Sequence, residues 1–145
     1  MNKGTSFIEL LMALGVVSIA LLALVSLVTK SISNTTFSKE STQASRYTQE
    51  LLEWLRGERD TEWQVFSSRA SAGVGRTYCL NNLSWSNTGA CGNTEFIANT
   101  RLLRELTLTL IDPVTVEALV RTTWTDGSGS HNVRSTTTFT SWIEN

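Results

Sequence analysis

From Leu10 to Val28 the chain is apolar and uncharged, and its only polar members are Ser18 and Ser26. At roughly 1.5 Å per helical residue this run covers about 28 Å, the thickness of a bilayer's hydrocarbon core. Both hydroxyls can bond back to the helix backbone, so neither counts against a membrane helix. After Lys30 the composition turns to water: residues 31–45 are rich in Ser and Thr, with no Pro or Gly to stop a helix. Apolar residues then recur at Ala44, Tyr47, Leu51 and Leu55 in steps of three and four, and Leu52 and Trp54 widen the stripe. That is one face of an amphipathic helix. Glu53, Arg56 and Asp60 fall on its solvated flank at spacings that suit ion pairs. Gly57 costs a helix about 1 kcal/mol relative to Ala, so fraying is expected to begin there. Trp63, Val65 and Phe66 suggest a last packed turn before the small, Gly-rich stretch 67–75. The pattern predicts one helix from about Ser6 to about Ser67.

The period then changes to two. Leu106, Leu108 and Leu110 alternate with Glu105, Thr107 and Thr109. After the turn pair Asp112-Pro113, a second inward set follows at Val116, Ala118, Val120, Thr122 and Trp124. Asp126-Gly127-Ser128-Gly129 is a hairpin signal. Val133, Thr137 and Phe139 mark a third strand, poorer in apolar residues and placed at an edge. Thr77 to Leu80 is a candidate short strand. Residues 81–94 hold turn formers and both cysteines, and Trp85 among them is expected to cover the core. Such a three-stranded antiparallel meander has one apolar face, and the amphipathic helix is the available cover. The expected class is α+β: a long N-terminal helix, its first half transmembrane, packed on a small antiparallel sheet. Leu51, Leu55 and Tyr47 are expected against Leu106, Leu108, Val120 and Phe139.

Glu9 does not fit an ordinary anchor. A carboxylate at the edge of an apolar run is costly unless it snorkels, pairs or neutralises. The plain alternative is an acid favoured by the helix dipole and wetted by headgroups. Ahead of it stands the short basic stretch Met1-Asn2-Lys3-Gly4, then Thr5-Ser6-Phe7-Ile8. This Gly-to-Glu spacing, leading into an apolar helix, resembles the type IV pilin family and its type II secretion pseudopilins. The resemblance implies cleavage by a prepilin peptidase between Gly4 and Thr5, followed by N-methylation of the new terminus. It also implies a charge pairing of Glu9 with the freed Thr5 amine of a neighbouring subunit. Thr5 departs from the family, where Phe or Met is usual. The motif covers only the first fifth of the chain. The head pattern is similar too: residues 44–63 with Arg56-Gly57-Glu58-Arg59-Asp60, and the Trp124-Thr125-Asp126-Gly127 hairpin, look like minor pilins of the PilV type and pseudopilins of the GspI type.

On this reading the chain comprises a leader (1–4), a transmembrane and filament-core helix (5–30), an amphipathic helix (31–70), a disulfide-containing loop region (71–100) and the sheet (101–145). A secretory signal peptide remains an alternative, although the run is longer than such a core and Ser31-Ile32-Ser33 is a weak cleavage site. The positive-inside signal is weak, because Lys3 precedes the run and Lys30 follows it.

Charge and chemistry narrow the choice. The 145 residues carry a net charge of −1, and the arginines are scattered and mostly interleaved with acids, so nucleic acid is not indicated. Two cysteines, Cys79 and Cys91, in an exported loop read as a disulfide, with a reduced pair as the alternative. With a single distant His131 they cannot supply four ligands at zinc spacing. His131 itself, beside a Gly/Ser hairpin, reads as an exposed turn residue. Gly73-Val74-Gly75 is a flexible patch rather than a phosphate loop, and Glu105 and Glu117 fall at solvent-facing parity. No catalytic constellation, cofactor or metal site is expected. The expected partners are a prepilin peptidase, other pilin or pseudopilin subunits and an inner-membrane assembly platform. The expected location is the cytoplasmic (inner) membrane, single-pass with the head exported, then a periplasmic or extracellular filament. The competing readings are a membrane-anchored binding protein that never polymerises and a small secreted enzyme.

Overall fold

The computed structural model describes residues 3–141, with side chains from residue 7 onward. The first two residues of the expected leader (1–4) and the last four of the expected sheet region (101–145) lie outside the described residues. The chain is α+β. Helix α1 spans Lys3–Thr61 and α2 spans Trp63–Ser68. Strands β1 (Arg76–Cys79), β2 (Leu103–Asp112), β3 (Thr115–Asp126) and β4 (Gly129–Thr140) follow. They form one antiparallel sheet in the order β1-β2-β3-β4. Two compact units result, Met1–Lys39 and Glu40–Asn145.

In the first unit the long apolar side chains stand exposed along the helix, from Phe7 through Val28. Ser18 donates to the Leu14 carbonyl (2.8 Å) and Ser26 to that of Leu22 (3.0 Å). The hydroxyls are thus satisfied within the helix, as a segment without water requires.

In the second unit the later part of α1 lays its stripe on the sheet. Leu51, Leu52 and Leu55 join Phe66, Leu106, Leu108, Val116, Ala118, Val120 and Phe139 in the main core. The alternation of β2 and β3 places these residues on one face. Tyr47 departs from expectation. It packs with Ala44, Ile97, Leu102, Trp124 and Val133 in a separate, smaller cluster. It lies one to two turns ahead of Leu51 and Leu55, so it meets the hairpin end of the sheet.

Three further expectations are corrected. The sheet has four strands, because β1 pairs with β2 from Arg76↔Leu108 to Cys79↔Glu105. The candidate strand at Thr77 to Leu80 is present as Arg76–Cys79, and its pairing to β2 adds it to the expected three-stranded meander. The helix runs past Gly57 without fraying and ends at Glu62, whose backbone is extended (φ −159°, ψ 99°). Gly57 stays helical because the next turn is anchored. Glu58 accepts the Trp85 indole N–H at 2.6 Å, and the Arg59 guanidinium lies over the Phe139 ring at 5.6 Å. The break at Glu62 re-aims the chain, so α2 brings Phe66 edge-on to Phe139, 5.4 Å between centroids. Lastly, His131 belongs to β4 and is half-buried, bonded to Asp126.

Gly75 is a position where the backbone demands glycine. Its φ is +76°, and a Cβ there would come within 2.6 Å of the Thr109 hydroxyl and 2.8 Å of the Thr107 methyl. That close approach feeds the chain into β1.

Candidate functional site

Among the described side chains near the N-terminus, Glu9 is the single charged one, itself exposed, with Phe7, Ile8, Leu10 and Leu11 around it. Gly4 and Thr5 fall within α1, ahead of the described side chains. The helix is long and apolar enough to cross a membrane. Water-facing apolar side chains over this length are unfavourable by about 25 cal/mol for each Å². The surface therefore calls for lipid or for other helices.

In the second unit, Cys79 and Cys91 are disulfide-bonded, with Cα atoms 4.7 Å apart. The bridge fixes a loop that folds back along β1. Cys79 N–H donates to the Asn87 carbonyl (3.0 Å) and Gly89 N–H to that of Thr77 (2.8 Å). Trp85 covers the core from this loop, as expected. Its ring lies 4.8 Å from Trp54 and 5.2 Å from Tyr78, with Arg69 stacked at 4.5 Å.

The most constrained polar group is Arg104, which sequence reasoning had counted among the scattered arginines. It points inward from β2 and is only 2% exposed. Its guanidinium donates to the carbonyls of Leu80 (2.8 Å) and Tyr47 (3.1 Å) and to the Glu50 carboxylate (2.8 Å). One side chain thereby ties the helix, β2 and the end of β1 together. The signal was available: Arg104 shares the inward parity of Leu102, Leu106 and Leu108. A buried hydrogen bond between Thr48 and Thr122 (2.9 Å) joins helix and β3 beside it.

Glu105 and Asp126 also have partners. Glu105 pairs with Arg121 (2.6 Å) and accepts the Cys91 N–H (3.0 Å), so it is partly covered by the disulfide loop. At the hairpin, Asp126 accepts the Ser128 N–H (2.7 Å) and the His131 ring (3.0 Å). The Ser128 hydrogen bond, and then His131, hold its carboxyl below the ordinary carboxylate value. A groove of about 500 Å³ opens between α2 and the β2–β3 turn, lined by Trp63, Leu110, Pro113 and Val114 among others. Among the described residues no three metal-ligating side chains cluster.

Comparison of the chain with models of known protein families, with curated proteins and with solved structures finds no match. The long N-terminal apolar helix with a small antiparallel sheet is consistent with a pilin-like fold.

Proposed function

We propose that the chain is a minor filament subunit of the type IV pilin kind, with a structural rather than catalytic role. The observation that carries this reading is the exposed Glu9 at the head of an uninterrupted apolar helical surface. An anchor needs the apolar surface alone. A subunit that moves laterally from lipid into a bundle of like helices needs, in addition, a device that sets its depth. Cleavage after Gly4 by a prepilin peptidase frees the Thr5 amine, and Glu9 of an adjacent subunit pairs with it. Drawn unpaired to mid-membrane, such an acid costs about 2.5–3.5 kcal/mol, so a charge partner favours entry into the filament. Head-to-tail contacts that do not close then generate a helical fibre. The subunit begins in the cytoplasmic membrane with its head exported, at an inner-membrane assembly platform, and shares the filament with other pilin or pseudopilin subunits.

The test compares wild type with Glu9→Val at equal expression. The ratio of filament-associated to membrane-bound protein should fall several-fold while membrane insertion is at least as good. An unchanged ratio leaves Glu9 as a helix-end acid and removes the assembly role. N-terminal sequencing of the mature chain should begin at Thr5; a start at Met1 or beyond residue 28 overturns the processing step.

A further inference from the structure

The two edges of the sheet are finished differently. At β1 the disulfide loop lies along the strand, with a bridge between Tyr78 and Thr88 and two backbone hydrogen bonds. At the opposite side β4 runs for twelve residues, paired to β3 over twelve consecutive positions with no bulge. Among the described residues no further strand pairs with it. In an antiparallel pair alternate residues turn their N–H and C=O away from the partner, so β4 offers a long row of backbone donors and acceptors. Proteins ordinarily blunt such an edge with charged side chains, above all lysine, or with proline, a bulge or a cover. Between Gly129 and Thr140 there is no lysine, proline or bulge, and Arg134 is the one arginine on the edge.

Two further observations show what the edge lacks. On the helix-facing side, Val116, Ala118, Val120 and Thr122 of β3 are fully buried, whereas Val133, Ser135 and Thr137 of β4 are only half-buried. Phe139 of β4 stays in the core, but from Val133 to Thr137 the core thins out, and one more strand there would complete its cover. On the other side, a row of charges crosses the sheet. Glu105 lies opposite Arg121, and Arg121 lies opposite Arg134. Glu105 forms its ion pair with Arg121, whose neighbour Arg134 is exposed and has no ion pair among the described residues. Like charges directly opposite one another are unfavourable, and an acid on the next strand would relieve the pair.

We propose that the edge of β4 is a β-augmentation site that takes an extended segment of another protein, carrying a carboxylate in register with Arg134. Backbone pairing supplies the affinity and the row Glu105–Arg121–Arg134 selects the acid. The inference stands apart from the filament reading, since it needs only residues 76–140.

The test uses the purified full chain in detergent micelles and two fluorescent eleven-residue peptides of alternating Val and Thr. Alternate N-methylation on one edge stops the peptides pairing with themselves. One peptide carries Glu, the other Lys, at its central position on the Arg134 side. The Glu peptide should bind a few-fold tighter, up to about fivefold for one cross-strand charge pair. It should also slow amide exchange in β4. Arg134→Gln should abolish the preference and Arg134→Glu reverse it, with near-ultraviolet circular dichroism unchanged. Equal affinity for both peptides, or binding of neither, overturns the proposal. So does a concentration-dependent dimer that protects the β4 amides before any peptide is added, which would make a second copy the occupant.

Discussion

Helix α1 presents two different surfaces along its length. From Phe7 to Val28 its large side chains are exposed within the chain, while from Ala44 to Leu55 an apolar stripe is buried on the sheet. Backbone geometry is the same in both, because intrahelical hydrogen bonds form wherever no residue forbids them. The difference lies in who satisfies the side chains. The later part carries polar residues between its apolar ones, so it has a wet face and a dry face, and its own sheet can complete it. The earlier part is apolar all round, so no single sheet could cover it. Only a medium, or several neighbouring helices, can.

The comparison breaks first at Leu51. Leu51→Ala should cost the head about 2–5 kcal/mol, because the side chain is fully buried. Leu21→Ala, exposed within the chain, should leave head stability unchanged. All five tryptophans lie at or beyond residue 54, so tryptophan fluorescence in urea, on the chain in micelles, reads the head alone. Equal destabilisation by both changes would mean that the early helix packs against the head.

Reduction of the Cys79–Cys91 bridge comes next. Opening a loop of this length should remove about 3 kcal/mol from the head. The early helix should keep its far-ultraviolet signal in micelles as the head melts at lower temperature. A single transition for both parts would erase the distinction.

Arg104→Met is expected to cost about 1–3 kcal/mol, since it leaves the Leu80 and Tyr47 carbonyls short of a donor. Glu50 is half exposed and can be rehydrated, so the carbonyls set the size of the effect. Glu50→Gln should cost less than Arg104→Met, because the amide oxygen still accepts the hydrogen bond, but it should not be silent, because the buried guanidinium loses its counter-charge. If Glu50→Gln costs as much as Arg104→Met, the ion pair is the dominant contribution.

The smallest effect is at the hairpin. The Asp126 carboxyl is held below its ordinary value, so its contribution is full above the unfolded carboxylate pKa and is lost as pH falls through the lower folded one. The protection of the Ser128 amide against exchange, relative to its unfolded rate, should fall in that acid window, and Asp126→Asn should remove this fall without melting the sheet.

The amino-acid pattern alone determined much of this protein. The membrane-length run, the stripe at Ala44, Leu51 and Leu55, the inward sets of β2 and β3 and the hairpin at Asp126–Gly129 all follow from local periodicity and turn chemistry, and the covering role of Trp85 from the tendency of that side chain to be buried. These are properties of residues near one another in the chain. What only the tertiary structure decided depends on residues far apart. Strand β1 joins the sheet because β2 accepts it, α1 passes Gly57 because Trp85 and Phe139 hold the next turn, and Tyr47 joins the hairpin cluster because of where the helix lies on the sheet. Arg104 was legible by parity as an inward residue. Its burial became favourable only when carbonyls of Leu80 and Tyr47 arrived from elements 24 and 57 residues away to accept its protons. A buried guanidinium needs several acceptors at once, and tertiary packing brings them together.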